Sequence, residues 1–348
     1  MKAIIVNEDT TLQTQEFDMP VIENPQQIIV KIAYSGLCGS DIPRIFHHGA
    51  HFYPITLGHE FSGQVVAIGE NVNQLKVGDN IASVPLLPCF NCEECDNHYY
   101  SLCKNYTFVG SRKAGGLAEY VIMDQKNAMK LPDSVSLLEG AFFEPLTVGM
   151  HGILLANGCK DKNVIIVGAG TIGLLAMQCA KAMEARSITV IDINQERLEL
   201  AKSLGADHTY NSSTMTAEQI LTAMNSYRFN QLILETAGSP ITVKLSIEIA
   251  GPRAQLVLIG TLHQDLNLPE KTFGLILRKE LMVLGSWMNY SAPWPGKEWQ
   301  LISDYFSQGK IRLDKLIAGI GNFDEFIGMV TNLHGKSMSG KLLLKIGN

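Results

Sequence analysis

An apolar run passes directly into closely spaced glycines in Val164-Ile165-Ile166-Val167-Gly168-Ala169-Gly170-Thr171-Ile172-Gly173, and an Ala-rich helical pattern follows. This order of strand, glycine-rich turn and helix is the context that a dinucleotide-binding fingerprint requires. Gly168 permits the tight turn, Gly170 lets the backbone approach a pyrophosphate, and Gly173 allows the helix to pack closely on the strand. The N-terminus of the helix offers free N–H groups to the phosphates. The pattern therefore predicts a dinucleotide-binding domain.

The type of dinucleotide follows from the next strand, which ends at Asp192, 19 residues beyond Gly173. A carboxylate at this position meets the hydroxyls of the adenosine ribose and repels a 2′-phosphate, so NAD is favoured over NADP. Arg197 lies near enough in the sequence to keep NADP as a minor alternative. The predicted cofactor-binding residues are Gly168, Gly170, Thr171, Ile172, Gly173, Asp192 and Arg197.

From about Glu144 onwards, strands alternate with helical patterns, which predicts an α/β fold with a parallel sheet covered by helices. The strands expected in this region are residues 163–167, 187–191, 230–234 and 255–259, with 281–285 near an edge of the sheet. The preceding part of the chain is predicted to be mostly β, because short apolar runs are separated by turns. Its expected elements are strands at 28–33, 64–68 and 120–123, followed near the C-terminus by a helix at 299–306 and a strand at 341–346.

The composition is that of a globular protein of 348 residues, 46% hydrophobic and 18% charged, which is long enough for two domains. A net charge of -6 gives no electrostatic reason to expect nucleic acid or an anionic membrane as a partner. We find no secretory signal at the N-terminus and no apolar run of about 18 residues, the length of a membrane span. The sequence thus predicts a cytoplasmic protein with a small-molecule partner.

Four cysteines cluster in the spacing Cys89-x2-Cys92-x2-Cys95-x7-Cys103. Four thiolates close a tetrahedron and exclude water, so the spacing predicts a structural zinc site in a lobe of residues 88–104. An iron–sulfur cluster is less favoured because the bacterial run ends in x3-Cys-Pro, and a DNA-binding zinc ribbon is less favoured because the chain is acidic. Cys159 and Cys179 lie in apolar surroundings and are interpreted as buried packing residues.

A second candidate metal site contains one cysteine and one histidine, in Gly36-Leu37-Cys38-Gly39-Ser40-Asp41 and Gly58-His59-Glu60. A cysteine and a histidine with a distant third ligand leave one coordination position open, as a catalytic zinc requires. Glu144 is a candidate for that ligand, and because Pro145 follows it we expect an extended backbone there. Cys38 and His59 are too far apart for a local motif, so ordinary packing of both side chains remains an equal alternative.

Together these motifs resemble the zinc-dependent medium-chain dehydrogenases, in particular their polyol-dehydrogenase branch, over essentially the whole chain. Further matches are Gly63 with Gly69 and the segment Val77-Gly78-Asp79. The resemblance implies a GroES-like β catalytic domain formed by residues 1–150 and 287–348. It also implies a Rossmann NAD-binding domain formed by residues 151–286.

The same resemblance implies roles for individual residues. Glu60 matches a carboxylate that orients zinc-bound water or approaches the metal, and Ser40 matches a hydroxyl between the substrate alcohol and the proton relay. Pro43 departs from the pattern, because many relatives have a relay histidine there and a proline cannot pass a proton. Release of the proton must then use water, the cofactor ribose or a neighbour such as His51. The implied ligands of the catalytic zinc are Cys38, His59 and Glu144.

The activity that the resemblance implies is oxidation of a secondary alcohol of a polyol, with two zinc ions per chain and NAD, in a homodimer or homotetramer. Further stretches, among them Pro43-Arg44-Ile45-Phe46, resemble a branch member that acts on a sugar alcohol phosphate. One alternative is a dehydrogenase of an unphosphorylated polyol such as sorbitol, or of a diol. Another is a non-catalytic NAD-binding or structural protein.

The candidate cations for a substrate phosphate are Arg44, Arg112, Lys113 and Lys297.

Overall fold

The computed structural model describes residues 1–334 and 340–347. The chain divides into two compact units. The first is formed by Met1–Glu144, Tyr290–Gln308 and Leu313–Asn348, and the second by Pro145–Asn289 and Gly309–Arg312. The domain boundaries predicted from the sequence, after residues 150 and 286, stay a prediction.

The first unit is rich in β-structure, as predicted. Its strands are β1 (Lys2–Val6), β2 (Leu12–Glu16), β3 (Gln27–Gly36), β4 (Glu60–Ile68), β5 (Asn80–Ser83), β6 (Leu86–Leu87), β7 (Thr107–Phe108), β8 (Tyr120–Asp124), β9 (Ala128–Lys130), β16 (Ile317–Gly321) and β17 (Lys341–Lys345). Its helices are α1 (Asp41–Phe46), α2 (Glu93–Asp96), α3 (Leu137–Gly140), the start of α4 (Phe143–Leu155), α10 (Lys297–Ser307) and α11 (Phe323–Thr331).

The main sheet of this unit has the strand order β16-β17-β3-β4-β5-β9, and β8 also pairs with β3. Its pairs are antiparallel except β16 with β17. Side chains of β3 and β4 fill one core beneath the sheet, where Ile28, Val30 and Val65 are fully buried. Each such side chain stabilises the fold by roughly 1.5–3 kcal/mol relative to an exposed one.

The second unit is a six-stranded parallel sheet with helices between its strands. The strands are β10 (Asn163–Val167), β11 (Ser187–Asp192), β12 (His208–Asn211), β13 (Gln231–Glu235), β14 (Gln255–Leu258) and β15 (Met282–Gly285). The helices are α5 (Thr171–Ala182), α6 (Gln195–Leu204), α7 (Ala217–Ala223), α8 (Pro240–Ile249) and α9 (Glu270–Arg278), besides the remainder of α4. The strand order β12-β11-β10-β13-β14-β15, parallel throughout, is that of a Rossmann sheet.

The predicted strands and helices of both units are confirmed, with ends that shift by a few residues. β10 and β13 are buried along their whole length, because helices cover both faces of a parallel sheet. β15 lies at one edge of its sheet, as expected.

Cys159 and Cys179 are fully buried packing residues, also as expected. In the part of the chain that the structure describes, each helix is too short or too polar to cross a membrane.

Candidate active site and structural metal centre

The pairing of β3 with β4 brings Cys38 and His59 together. The two strands are antiparallel, and their register places Gly36, the last residue of β3, opposite Glu60, the first residue of β4. Because Cys38 follows shortly after Gly36 and His59 directly precedes Glu60, both side chains lie at the same end of the strand pair. Two residues that are far apart in the sequence thereby form a local cluster.

The donor atoms of this cluster are close enough to hold one metal ion. The Cys38 sulfur, a ring nitrogen of His59 and a carboxylate oxygen of Glu60 all lie within 4.8 Å of one another. His59 is buried, and among the described residues its Nδ1 has no hydrogen-bond partner. Oδ1 of Asp41 lies 3.9 Å from that nitrogen. A thiolate, an imidazole and a carboxylate around an unsatisfied buried nitrogen fit a zinc ion.

Negative charge dominates the surroundings of His59. Burial by itself lowers the pKa of the imidazole, but the charges of Cys38, Asp41 and Glu144 outweigh burial and raise the pKa to about 10. The pocket therefore attracts positive charge. A divalent cation that replaces the imidazole proton satisfies the same negative groups, because metal ligands bind in their deprotonated form.

Glu144 lies in the first turn of α4 and is buried. The prediction of an extended backbone at Glu144 is wrong, because Glu144 and Pro145 both lie in the first turn of α4. A proline is tolerated there, since its missing N–H costs no helical hydrogen bond. The Glu144 carboxylate raises the pKa of His59 and of Lys341, so it lies near both. Within the described chain it is not a member of the 4.8 Å cluster, and its role as third ligand stays a prediction.

The turn between β3 and α1 contains the hydrogen bonds that orient Cys38. Ser40 Oγ donates to Cys38 Sγ at 3.2 Å, and the Cys38 N–H donates to Asp41 Oδ2 at 3.2 Å. Arg44 Nη1 donates to Ser40 Oγ at 2.9 Å and to Asp41 Oδ1 at 3.0 Å. Asp41 is fully buried and Ser40 is exposed. The Ser40 hydroxyl is therefore accessible to a substrate while it stays beside the predicted ligand.

Glu60 is bound at both carboxylate oxygens by a single cation. Lys341 Nζ donates to Glu60 Oε1 at 2.7 Å and to Oε2 at 2.6 Å, and it also donates to the Leu37 carbonyl at 3.2 Å. Both side chains are almost completely buried, so this is an ion pair removed from water. Lys341 thereby neutralises a carboxylate beside the predicted metal ligands and fixes its position.

The four predicted ligands of the structural zinc also converge. Their sulfur atoms all lie within 4.8 Å of one another, with 3.8 Å between Cys92 and Cys103 and 3.5 Å between Cys103 and Cys89. Four thiolates bound tetrahedrally to zinc lie about 3.8 Å apart. All four, including Cys95, are free of disulfide bonds. The spacing and the chemistry of these donors fit a structural zinc ion.

The glycine turn has the close backbone approach that its sequence predicts. Gly168 has a φ of +101°, and a Cβ atom on Gly173 would lie 1.9 Å from the Gly168 carbonyl oxygen, so only glycine fits at Gly173. Gly170 precedes α5 and has no side chain to cap the helix, so a phosphate can bind the free N–H groups at the N-terminus of α5. Thr171 and Ile172 form the first turn of α5 and are half-buried.

Asp192 lies beside this turn at the end of β11. Its Oδ2 accepts a hydrogen bond from the Ala169 N–H at 2.6 Å, and its Oδ1 accepts one from the Asn194 N–H at 2.8 Å. Arg197 lies in the first turn of α6, where its N–H donates to the side chain of Asn194. A fixed carboxylate next to the glycine turn fits NAD better than NADP, because a 2′-phosphate would be repelled.

Known proteins match the whole length of the chain. The family described as "Alcohol dehydrogenase GroES-like domain" matches residues 24–133, and the family described as "Zinc-binding dehydrogenase" matches residues 171–304. Galactitol 1-phosphate 5-dehydrogenase of Escherichia coli strain K12 is 56% identical over 344 residues, which are 99% of each chain. The chain belongs to the zinc-binding alcohol dehydrogenases.

Two further comparisons support this assignment. The crystal structure of galactitol-1-phosphate dehydrogenase from Escherichia coli matches with a TM-score of 0.98 and 55% identity, covering 99% of this chain and 100% of that one. The probable D-xylulose reductase A of Emericella nidulans is 34% identical over 317 residues, 88% of this chain and 86% of the relative. The predicted family and fold class are confirmed, and the zinc and NAD predicted for this dehydrogenase agree with them.

Two residues of the site were missed by reasoning from the sequence. Asp41 stands inside the motif that contains Cys38, and its full burial shows that its carboxylate orients that motif. Lys341 carries a sequence signal, because a lysine is unexpected at a buried position of the apolar strand Lys341–Lys345. Its partner is separated from it by most of the chain, so a sequence pattern does not identify it.

Substitution Lys341→Met tests the buried ion pair. Glu60 would keep its buried charge without a partner, and we expect the free energy of unfolding to fall by about 3–5 kcal/mol. Urea denaturation of the purified dehydrogenase measures this loss. Lys341→Arg, which keeps the charge, should lose less; equal losses in both variants would show that packing rather than charge dominates.

Substitution Cys92→Ser tests the structural zinc site. A serine hydroxyl is a poor zinc ligand, so we expect one zinc fewer per chain by elemental analysis and a lower melting temperature. Cys159→Ser is the matched control, because that cysteine lies outside both metal clusters and should leave the zinc content unchanged. Unchanged zinc in Cys92→Ser would contradict the assignment.

Substitution Asp192→Asn tests the choice of dinucleotide. Loss of the negative charge should reduce kcat/KM for NAD by about 10-fold or more, because hydrogen bonds to charged groups are among the strongest. The value for NADP should rise, because the repulsion of its 2′-phosphate is removed. Glu196→Gln removes an exposed charge on the same segment and should change neither value. An unchanged ratio of kcat/KM with NAD to that with NADP in Asp192→Asn would contradict this role.

Proposed function

We propose that this dehydrogenase oxidises a secondary alcohol of a sugar alcohol phosphate with NAD, and that its substrate is galactitol 1-phosphate, with tagatose 6-phosphate as the product. The observation that carries the proposal is 56% identity to galactitol 1-phosphate 5-dehydrogenase over 99% of both chains. The segments that resemble this enzyme include Pro43-Arg44-Ile45-Phe46, next to the predicted zinc site, and Gly285-Ser286-Trp287-Met288-Asn289-Tyr290.

The residues of the first unit have distinct tasks in this reaction. Zinc, when held by Cys38, His59 and Glu144, supplies Lewis acidity that lowers the pKa of a substrate alcohol. Asp41 orients the Cys38 backbone, and Lys341 keeps the charge of Glu60 balanced.

Ser40 receives the proton of the substrate alcohol at its Oγ. That oxygen already donates to Cys38 and accepts from Arg44, so its position is fixed before substrate binds. Pro43 cannot relay the proton further, and His51 is the nearby candidate to receive it. Burial, Arg112 and Arg44 lower the pKa of His51, so its imidazole is neutral at physiological pH and can accept a proton.

The second unit binds the hydride acceptor. NAD supplies a nicotinamide ring that accepts hydride from the substrate carbon. Gly168, Gly170 and Gly173 admit the pyrophosphate to the N-terminus of α5, and Asp192 binds the ribose hydroxyls.

We further propose a homodimer or homotetramer in the cytoplasm, without nucleic acid or membrane as a partner. β15 is an edge strand whose Met282 and Val283 are exposed, and such an edge is normally covered. The seven free cysteines suit a reducing compartment. The net charge of -6 disfavours anionic partners.

A dehydrogenase of an unphosphorylated polyol is the second candidate, and the 34% identity to a probable D-xylulose reductase favours it specifically. Rates of NADH formation on galactitol 1-phosphate, galactitol, sorbitol, xylitol and butanediol distinguish the two candidates. We expect kcat/KM to be highest on galactitol 1-phosphate, and higher with NAD than with NADP. Fast oxidation of sorbitol or butanediol without any oxidation of galactitol 1-phosphate would contradict the proposal.

A further inference from the structure

We propose that Arg112 and Arg44, with His51 beside them, form the site that binds the phosphate group of the substrate. This inference rests on the proposed function, because it assigns residues to the phosphate of a phosphorylated polyol. Zinc ligation selects an alcohol and cannot by itself select a phosphate, so a separate cationic group is required.

Arg44 is connected to the predicted zinc site through Ser40. Its Nη1 donates to the Ser40 carbonyl at 3.0 Å and to Ser40 Oγ at 2.9 Å, and that hydroxyl donates to Cys38 Sγ. The same nitrogen contacts Asp41 Oδ1 at 3.0 Å, and the side chain is about one-fifth exposed. One edge of the guanidinium is thus anchored by protein, and its remaining N–H groups are available for an anion.

Arg112 is connected to the same site through the loop that follows β7. Its N–H donates to the Phe108 carbonyl at 2.9 Å, and the Phe108 ring packs edge-on against His59 with 5.5 Å between ring centroids. A Cβ atom on Gly110 would lie 2.4 Å from the Gly58 carbonyl oxygen, so this loop lies directly on the backbone that precedes His59. The exposed Arg112 side chain therefore begins close to the predicted zinc ligands.

His51 lies in the loop that follows α1. Burial and the positive charges of Arg112 and Arg44 lower the pKa of its imidazole, which agrees with a cationic environment around that ring. The loop of His51 is attached to α1, because the Gly49 N–H donates to the Pro43 carbonyl at 3.1 Å. Arg44 through Ser40, and the loop of Arg112 through Phe108, thus both adjoin the predicted zinc ligands.

The charge of this cluster is not balanced by carboxylates. Asp41 pairs with Arg44, but among the described residues no carboxylate oxygen lies within 4.0 Å of the side-chain nitrogens of Arg112 or His51. The Arg112 guanidinium instead stacks on Tyr106, with 4.6 Å to the ring centroid. One N–H of Nη2 donates to the Tyr106 hydroxyl at 3.4 Å, and the guanidinium has further N–H groups for an anion. A phosphate dianion is the ligand that two convergent arginines bind best.

The side chains of the other two candidate cations line other cavities. Lys113 lines a small apolar cavity of about 150 Å³ together with Met1, Phe17 and Pro20. Lys297 is the first residue of α10 and lies with Trp294 on a different surface. Lys297 has no described contact with Ser40 or with the loop of Phe108. Lys113 belongs to that loop, because its N–H donates to the Phe108 carbonyl at 3.1 Å, but its side chain lines the apolar cavity and is poorly placed for a substrate held at the zinc.

Substitution Arg112→Gln tests this phosphate site. We expect kcat/KM on galactitol 1-phosphate to fall by about 10- to 100-fold, mainly through KM, because a hydrogen bond to a charged group is lost. The ratio of kcat/KM on galactitol 1-phosphate to that on galactitol should fall by a similar factor, because galactitol lacks the phosphate. Inorganic phosphate should inhibit the oxidation of galactitol competitively, and more weakly in Arg112→Gln than in the wild type.

Two further variants make the test specific. Lys113→Gln removes the same charge from the adjacent exposed residue and should leave both substrates unaffected. Arg112→Lys should recover part of the loss, because it restores charge without the two-pronged geometry. An equal loss in Lys113→Gln, or an unchanged preference in Arg112→Gln, would overturn the phosphate site alone. A wild-type enzyme without preference for the phosphorylated substrate would overturn the proposed function as well.

Discussion

The antiparallel pairing of β3 with β4 is the constraint on which the active site depends. Its register sets Gly36 opposite Glu60, and this places Cys38 and His59 at one end of the pair. The neighbouring pairing of β17 with β3 brings Lys341 to the same end, where it binds Glu60. Hydrogen bonds between backbones, rather than contacts between side chains, thus bring together Cys38 and His59, two of the predicted metal ligands.

Electrostatics divides the surroundings of this site into two regions. Around His59 the charges of Cys38, Asp41 and Glu144 are negative, and they suit a divalent cation. Arg44 and Arg112, which adjoin this site through Ser40 and the loop of Phe108, provide positive charge that suits an anion. A polyol phosphate has a neutral hydroxyl for the first region and a dianionic group for the second. The same chain therefore offers complementary charge to both parts of one substrate.

The clearest predictions from the sequence were those that depend on neighbours along the chain. The glycine turn at residues 168–173 and the cysteine lobe at 88–104 are local, so the spacing of their residues already determines the geometry. The zinc and dinucleotide sites that are formed by distant segments were harder to predict from the sequence. Glu144 was placed correctly at the start of the helical region, but the helix that includes Pro145 was not expected, because the position of a proline within a first turn depends on where the helix begins.

Residue types and their spacing along the chain predicted the Rossmann sheet, because its strands and glycine turn follow from local patterns. The same reasoning marked the four cysteines and the pair Cys38 and His59 as candidate zinc ligands, and the family followed from the resemblance that these motifs carry. Spacing did not identify Lys341 as the partner of Glu60, or select Arg44 and Arg112 among the four candidate cations. Those assignments require contacts between segments that are tens to hundreds of residues apart. Such contacts arise from strand register and loop packing, which become visible when the chain is folded.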